Sequence, residues 1–587
     1  MKNGLTRTNK LTAIMLSLIL AFAFTLTGCG DGKSMSSDVS ESVAGVEYYH
    51  YDTKAFNKMC DELEVLAAGD NAGAVISKYD KLYDEYVELE TLYAVIYVMY
   101  STDVTNDYYS DEQIYTYDKM ERCSDRLCEV CRKITEGPCA DNFKEHVGKE
   151  AFEAFAEYRV LSKREKKLLK QEIELVDEYY DVIEKSEDAT YKYKGKDWTF
   201  DMISGEEGND LSYTDYSGYV EIYDGLLKMA NDEAGPIYLE LLGIRTELAK
   251  LAGYDNYAAY ADAEEYNRDY SEEEIEQLHK DVKGISKTYF DNYYNSFSDD
   301  GGKGLPDMSI KKLLSNLQKY SYEVDDMAGE SADQMIDEKL ISIGDEKNRQ
   351  DGAFTTYVYK ANCPFISMTL DKERDFIVLS HEFGHFVEYN NETHKNVLTD
   401  SDNIDLAEIA SNGLEGLMTN FYDNIYKGSA DAARKKAVGE LLENVIDGCI
   451  EDEFQRAVYE NPNITLDEIN KLYSKTYAQY NPWAEGDPGY SWVFVSHNFE
   501  APMYYISYTV SALAALQIWN QSNKDFDGAV NSWEKFIKEG TYNKTYLDVV
   551  GKCGLIKFTD EGAVKKICKP ALNATKSKVE FDYDLEN

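Results

Sequence analysis

The chain has 587 residues and a formal charge of −48, an acidity that repels phosphate backbones and argues against nucleic acid as a partner. A hydrophobic content of 43% with 49 tyrosines excludes an acidic disordered chain. The length allows a large core in two or three lobes, and only 9 prolines among abundant Glu, Lys, Leu and Ala favour helix.

The first stretch is not part of the fold. Lys2, Arg7 and Lys10 precede an apolar run from Leu11 to Thr27, and Leu26-Thr27-Gly28-Cys29 closes it. This resembles a bacterial lipoprotein signal peptide covering residues 1–28, after whose removal Cys29 is lipidated and becomes the N-terminus. The resemblance implies a lipid-anchored protein on the extracytoplasmic face of the cell membrane. A single transmembrane anchor is the alternative, although about 17 residues is short for a span. Losing residues 1–28 removes three positive and no acidic residues, taking −48 to −51. Residues 29–47 are small and polar and suit a flexible tether.

Residues 48–300 read as an N-terminal helical region. Apolar residues recur every three or four positions over 52–68, 75–100, 150–158 and 163–184, with charge runs as solvated faces. Cys123, Cys128, Cys131 and Cys139 fit a structural zinc site poorly by their spacing. One or two disulfides, or inert buried thiols, are the readings that remain. Cys553 and Cys568 are a second possible bridge. A Tyr-x-Tyr pair, a glycine turn and Trp-Thr-Phe predict a short hairpin over 191–200. Helices resume at 216–231, 235–252, 257–267 and 271–299, and Gly301-Gly302-Lys303-Gly304 marks a boundary.

Residues 301–587 form the second region. The stretch 353–369 is extended, rich in Thr, Tyr, Val, Phe and Ile, with Pro364 suiting an edge strand. Such an edge is a place where a peptide adds as an extra strand, or the sheet simply packs on helices. A helix follows, with Asp371 as N-cap and Asn390-Asn391 as stop. It carries His381-Glu382-Phe383-Gly384-His385. Residues four apart share a helix face, so His381 and His385 aim both imidazoles at one point and can ligate zinc. Glu382 can then serve a metal-held water as general base. A second helix over 401–421 presents Glu408, 23 residues past His385. A His2Glu set with an open position is the arrangement of a catalytic zinc, one ion per chain.

His381-Glu-Phe-Gly-His385 followed by Ala407-Glu408-Ile409-Ala410-Ser411-Asn-Gly-Leu-Glu415 resembles the thimet oligopeptidase/oligoendopeptidase F family of zinc metallopeptidases, peptidase family M3. Arg245 to Tyr254 and Tyr193 to Phe200 resemble further segments of that family, with Trp198 where the family has Tyr. The resemblance implies a mainly α, gluzincin-type fold: two helical lobes flanking a deep substrate channel, with a small β-sheet beside the motif helix. Glu415, two helical turns past Glu408, is a candidate to orient a ligand from behind.

Helices continue at 431–445, 451–458 and 465–477. Ser491 to Ser511 then resembles the family's late His…Tyr-x-x-Tyr segment. The resemblance implies that His497 binds substrate and that Tyr508, with Tyr505 or Tyr504, donates to the developing oxyanion. His50, His146, His279 and His394 lack such context and read as surface residues.

The implied activity is hydrolysis of peptide bonds in oligopeptides by a membrane-anchored, extracytoplasmic metalloendopeptidase. A carboxypeptidase or dipeptidyl carboxypeptidase of the same zinc class is the alternative. A non-enzymatic peptide-binding lipoprotein is a third, though such receptors alternate strand and helix.

Overall fold

A computed structural model describes residues 42–296, 304–372, 374–392, 396–483 and 487–576. The stretch expected to be a signal peptide, the expected lipidation site Cys29, most of the expected tether, the expected boundary at 300/301 and His394 lie outside the described residues. The chain is mainly helical. One hydrophobic core runs from Val43 to Ala571 and joins both halves of the sequence. A satellite cluster of Trp198, Ile203, Ile222 and Leu226 sits under the hairpin.

The predicted N-terminal helices form at Lys54–Ala67, Ala72–Thr102, Lys149–Glu157 and Lys163–Glu187. The last begins with a capping box in which Ser162 and Glu165 exchange hydrogen bonds. The hairpin pairs β1 (Tyr191–Tyr193) with β2 (Lys196–Trp198), antiparallel, around Gly195 at φ 85°. The nine described cysteines are all buried free thiols, which selects the inert reading over disulfides.

The two helices predicted at 216–231 and 235–252 are one, Tyr216–Ala252, with Pro236 inside it. Packing overrides the local breakers. A Cβ on Gly235 would stand 2.5 Å from Leu466 Cδ1. Asn231 exchanges side-chain hydrogen bonds of 3.1 and 2.9 Å with Asn470. Likewise 431–445 and 451–458 belong to one continuous helix, Ala430–Glu460. The helix expected over 257–267 is only Tyr257–Tyr260, followed by a π-helical turn Ala261–Glu265. His279 is buried against Asp452 at 2.9 Å rather than exposed.

The extended stretch folds as β4 (Ala353–Val358) and β5 (Cys363–Thr369), joined by β3 (Ile341–Gly344). The order is β3-β5-β4, with β3 parallel and β4 antiparallel to the centre. Pro364 therefore lies on the central strand, not an edge. Pairing with β3 starts only at Ile366, whose N–H reaches the Leu340 carbonyl. Two residues earlier the same side of β5 has no strand to receive an N–H, so proline costs nothing there.

Candidate active site

The motif helix spans Asp375–Asn391. Asp371 is not its N-cap: it stands four residues before the helix and accepts the Arg374 N–H at 2.9 Å, while Asp375 accepts from the N–H groups of Asp371 and Lys372. Phe376, Ile377, Leu379 and Phe383 are buried, so the helix is locked by its apolar side. The carboxylate helix, Ile404–Met418, crosses it at close range. A Cβ on Gly384 would lie 2.4 Å from Ser411 Cα and 2.7 Å from the Ala410 carbonyl. Glycine between the two histidines is thus what lets the helices approach.

That crossing brings the three predicted ligands together. Glu408 Oε2 is 3.1 Å from His381 Nε2 and 3.4 Å from His385 Nε2, and all three ligand atoms lie within 4.8 Å of one another. Glu408 is 2% exposed. Its Oε1 and both ring nitrogens of His385 have no hydrogen-bond partner among the described residues. Burying polar atoms unpaired is costly, and a cation at the centre of the set would satisfy them. The charges of the three groups also compensate one another. Burial opposes ionisation of Glu408, yet the imidazoles of His385 and His381 outweigh it and hold the carboxyl well below its usual range. Burial likewise opposes a charged His381, but Glu408 and Glu415 push it well above the usual imidazole value. Glu415 Oε1 meets His381 Nδ1 at 2.7 Å, on the ring nitrogen away from Glu408. The donor set fits a metal of the zinc type.

Glu382 points into a cavity of about 320 Å³. Sequence reasoning missed its partner: Thr355 Oγ1, on β4, donates to Glu382 Oε2 at 2.8 Å and sits 3.0 Å from the Glu382 carbonyl. Nothing in the strand pattern distinguishes Thr355 from its neighbours. Burial pushes the Glu382 carboxyl up from its usual value, the direction a general base needs.

His497, Tyr505 and Tyr508 line the same cavity as His381, Glu382 and Glu408. Tyr504 is 1% exposed and, unlike Tyr505 and Tyr508, is not among the lining residues. Tyr508 Oη lies 3.3 Å from His497 Nε2, and the rings of Tyr505 and Tyr508 are 5.3 Å apart. Burial pushes His497 down to about 3, leaving a neutral imidazole. Burial raises both phenols, which stay protonated donors. Glu440, Glu443 and Asp447, along the helix Ala430–Glu460, line the cavity as well. Arg374 pairs with Glu440 at 3.1 Å.

Comparison with known proteins decides the family. Residues 46–160 match the profile of the peptidase M3 N-terminal domain and residues 315–544 that of peptidase family M3, together more than half of the chain. The chain belongs to peptidase family M3. It is a zinc metallopeptidase of the gluzincin type. Its fold is similar to PZ peptidase A solved with inhibitor 2, at 20% identity and TM-score 0.74 over 91% of this chain and 98% of that one. A Bacillus anthracis str. Ames protein provisionally named oligoendopeptidase F gives 20% identity and 0.72 over 92% and 99%. Oligoendopeptidase-F from Enterococcus faecium gives 16% and 0.57 over 89% and 97%. No curated protein matches the chain.

Proposed function

We propose that this M3 metallopeptidase cuts oligopeptides internally, outside the cytoplasm, while tethered to the membrane through lipid on Cys29. The observation that carries the chemistry is the His381–His385–Glu408 cluster opening on the cavity that also holds Glu382. His381, His385 and Glu408 would hold zinc, with Glu415 fixing the ring of His381. Zinc, when bound, lowers the pKa of water and polarises the scissile carbonyl. Thr355 occupies Oε2 of Glu382, leaving Oε1 to take the proton of the attacking water and pass it to the leaving amine. Tyr508 and Tyr505 donate hydrogen bonds to the oxygen where negative charge develops. Neutral His497 steadies Tyr508 and contacts substrate. A cavity of about 320 Å³ suits a flexible peptide and not a folded domain.

Glu382→Gln should retain zinc and lose cleavage by at least ~10²-fold, read by metal analysis and peptide hydrolysis; undiminished turnover would refute the assigned base. Mass spectrometry of products from a mixed peptide pool, with and without chelator, separates internal cuts from trimming at the C-terminus, which would favour the carboxypeptidase reading.

The lipid anchor is supported by the basic start, apolar run and Leu-Thr-Gly-Cys29 closure. No helix among the described residues is long and apolar enough to cross a membrane. Cys29→Ser should abolish incorporation of radiolabelled fatty acid and release the protein from membranes. Label retained in the variant would defeat the proposal.

A further inference from the structure

Arg268 comes from the half of the chain that carries no zinc ligand, in a stretch covered by neither family profile. Its side chain is 0% exposed. The π-helical turn Ala261–Glu265 and Asn267, at φ 47°, turn the backbone ahead of it; such turns recur at functional sites. Asp262, on that turn, binds Arg268 Nη1 at 2.6 Å and also takes both Arg456 amino groups, at 2.8 and 3.0 Å. Held this way, Arg268 spends its other amino group on the catalytic half. Nη2 donates to the Met503 carbonyl at 2.8 Å and to Ser507 Oγ at 3.1 Å. Nε lies 3.5 Å from Asp405 Oδ1.

Those three contacts are placed where they matter. Asp405 is one turn before Glu408 on the carboxylate helix. Ser507 is the residue before Tyr508 on the helix Ile506–Ser522. Ser507 Oγ donates to Asp405 Oδ1 at 2.6 Å, Tyr270 donates to Oδ2 at 2.8 Å, and Ser511 Oγ donates to the Asp405 carbonyl at 2.7 Å. Met503 sits at φ 67°, a region L side chains avoid. It is held from both sides, its N–H donating to Gln455 Oε1 at 2.8 Å and its carbonyl accepting from Arg268.

We propose that Arg268, acting through Asp405 and Ser507, is a positioning residue that sets the distance between the metal-ligand helix and the turn carrying Tyr505 and Tyr508. The inference rests on the proposed function for those tyrosines. One guanidinium has the fork of donors needed to join the Asp262 carboxylate, the Met503 carbonyl and the Ser507 hydroxyl beside the Asp405 charge; an ammonium does not. A displacement of about 1 Å between reacting groups is worth about 10²-fold in rate.

The test compares Arg268→Met, Arg268→Lys and Ser507→Ala with the wild-type enzyme. Arg268→Met should lose about 10²-fold in kcat, with KM and zinc stoichiometry at wild-type levels, and Arg268→Lys should recover part of the loss. In the metal-free protein, amide hydrogen exchange over 503–508 should quicken in Arg268→Met while the core stays protected. Unchanged kcat and exchange would overturn the proposal. So would an activity loss that follows zinc loss or global melting in step. If Arg268→Met does not fold, Ser507→Ala decides: kcat should fall with zinc retained, and wild-type kcat overturns the tie. Should the wild-type protein cleave no peptide, the functional reading fails, and the exchange comparison still judges the clamp.

Discussion

Glu415 lines the cavity and meets His381 directly. Its carboxylate at 2.7 Å from Nδ1 favours a proton on that nitrogen, so that when a metal displaces the proton of Nε2 its lone pair is the one offered to a cation shared with Glu408 and His385. Removing the charge while keeping the shape leaves the ring free to choose the other tautomer. Glu415→Gln should therefore weaken zinc binding by about 10–100-fold, measured by competition with a chromophoric chelator, and kcat at saturating zinc should suffer less. Equal affinities would show that His381 is oriented by packing alone. The clustering of His381 with His385, and of Glu415 with Glu408 on the next helix, was legible in the sequence, because helical geometry puts residues four and seven apart on one face; that the two helices meet was legible only through the family resemblance. Thr355, Asp405 and Arg268 were not legible. Their partners lie 27, 102 and 235 residues away, and no local spacing records such a contact.

The element that decides the site is the crossing of two helices. Gly384 packs onto the backbone at Ala410 and Ser411, and Trp533 Nε1 donates to the same Ala410 carbonyl at 3.0 Å. The carboxylate helix therefore cannot retreat to admit a methyl group. Gly384→Ala improves helix propensity by about 1 kcal/mol, yet the clash with backbone atoms should outweigh that gain. The variant should bind zinc at least ~10-fold more weakly, since Glu408 is pushed from the two histidines, and melt below the wild type in calorimetry. A more stable variant with normal zinc affinity would show that the helices have slack. The same scale explains the misread elements. Pro236, Gly235 and the residues before them look like a helix break locally, but Leu466 and Asn470 pack against that turn and carry the helix through. Pro364 looks like an edge and sits centrally, because β3 falls short of it. Local propensity is a weak prior wherever a long helix or a sheet offers tertiary contact.

At the scale of the whole molecule the acidity has an internal counterpart. Burial pushes Glu265 and Glu500 up to about 8, and Glu392, Glu440 and Glu451 up to about 7. In the unfolded chain each titrates near 4.5. Between those values the folded state binds more protons than the unfolded state, so stability falls as pH rises. The contribution is fully present below about 4.5 and gone above about 8. Asp452 works the other way: burial is outweighed by Arg456 and His279, which hold it below its usual range, and its contribution is lost only in acid. The metal-free protein, chosen so that zinc release does not intrude, should therefore melt at its highest temperature in mildly acidic solution and lose stability steadily from pH 6 to 9. Glu265→Gln isolates one carboxyl. Its amide oxygen can still accept the Tyr257 hydroxyl, which now lies 2.9 and 3.0 Å from the two carboxylate oxygens. Without an ionisable group there, the fall of melting temperature between pH 6 and 9 should be shallower than in the wild type. A melting temperature that climbs across that range, or a variant with the wild-type slope, would mean that the buried carboxyls are ionised and paired in the folded protein.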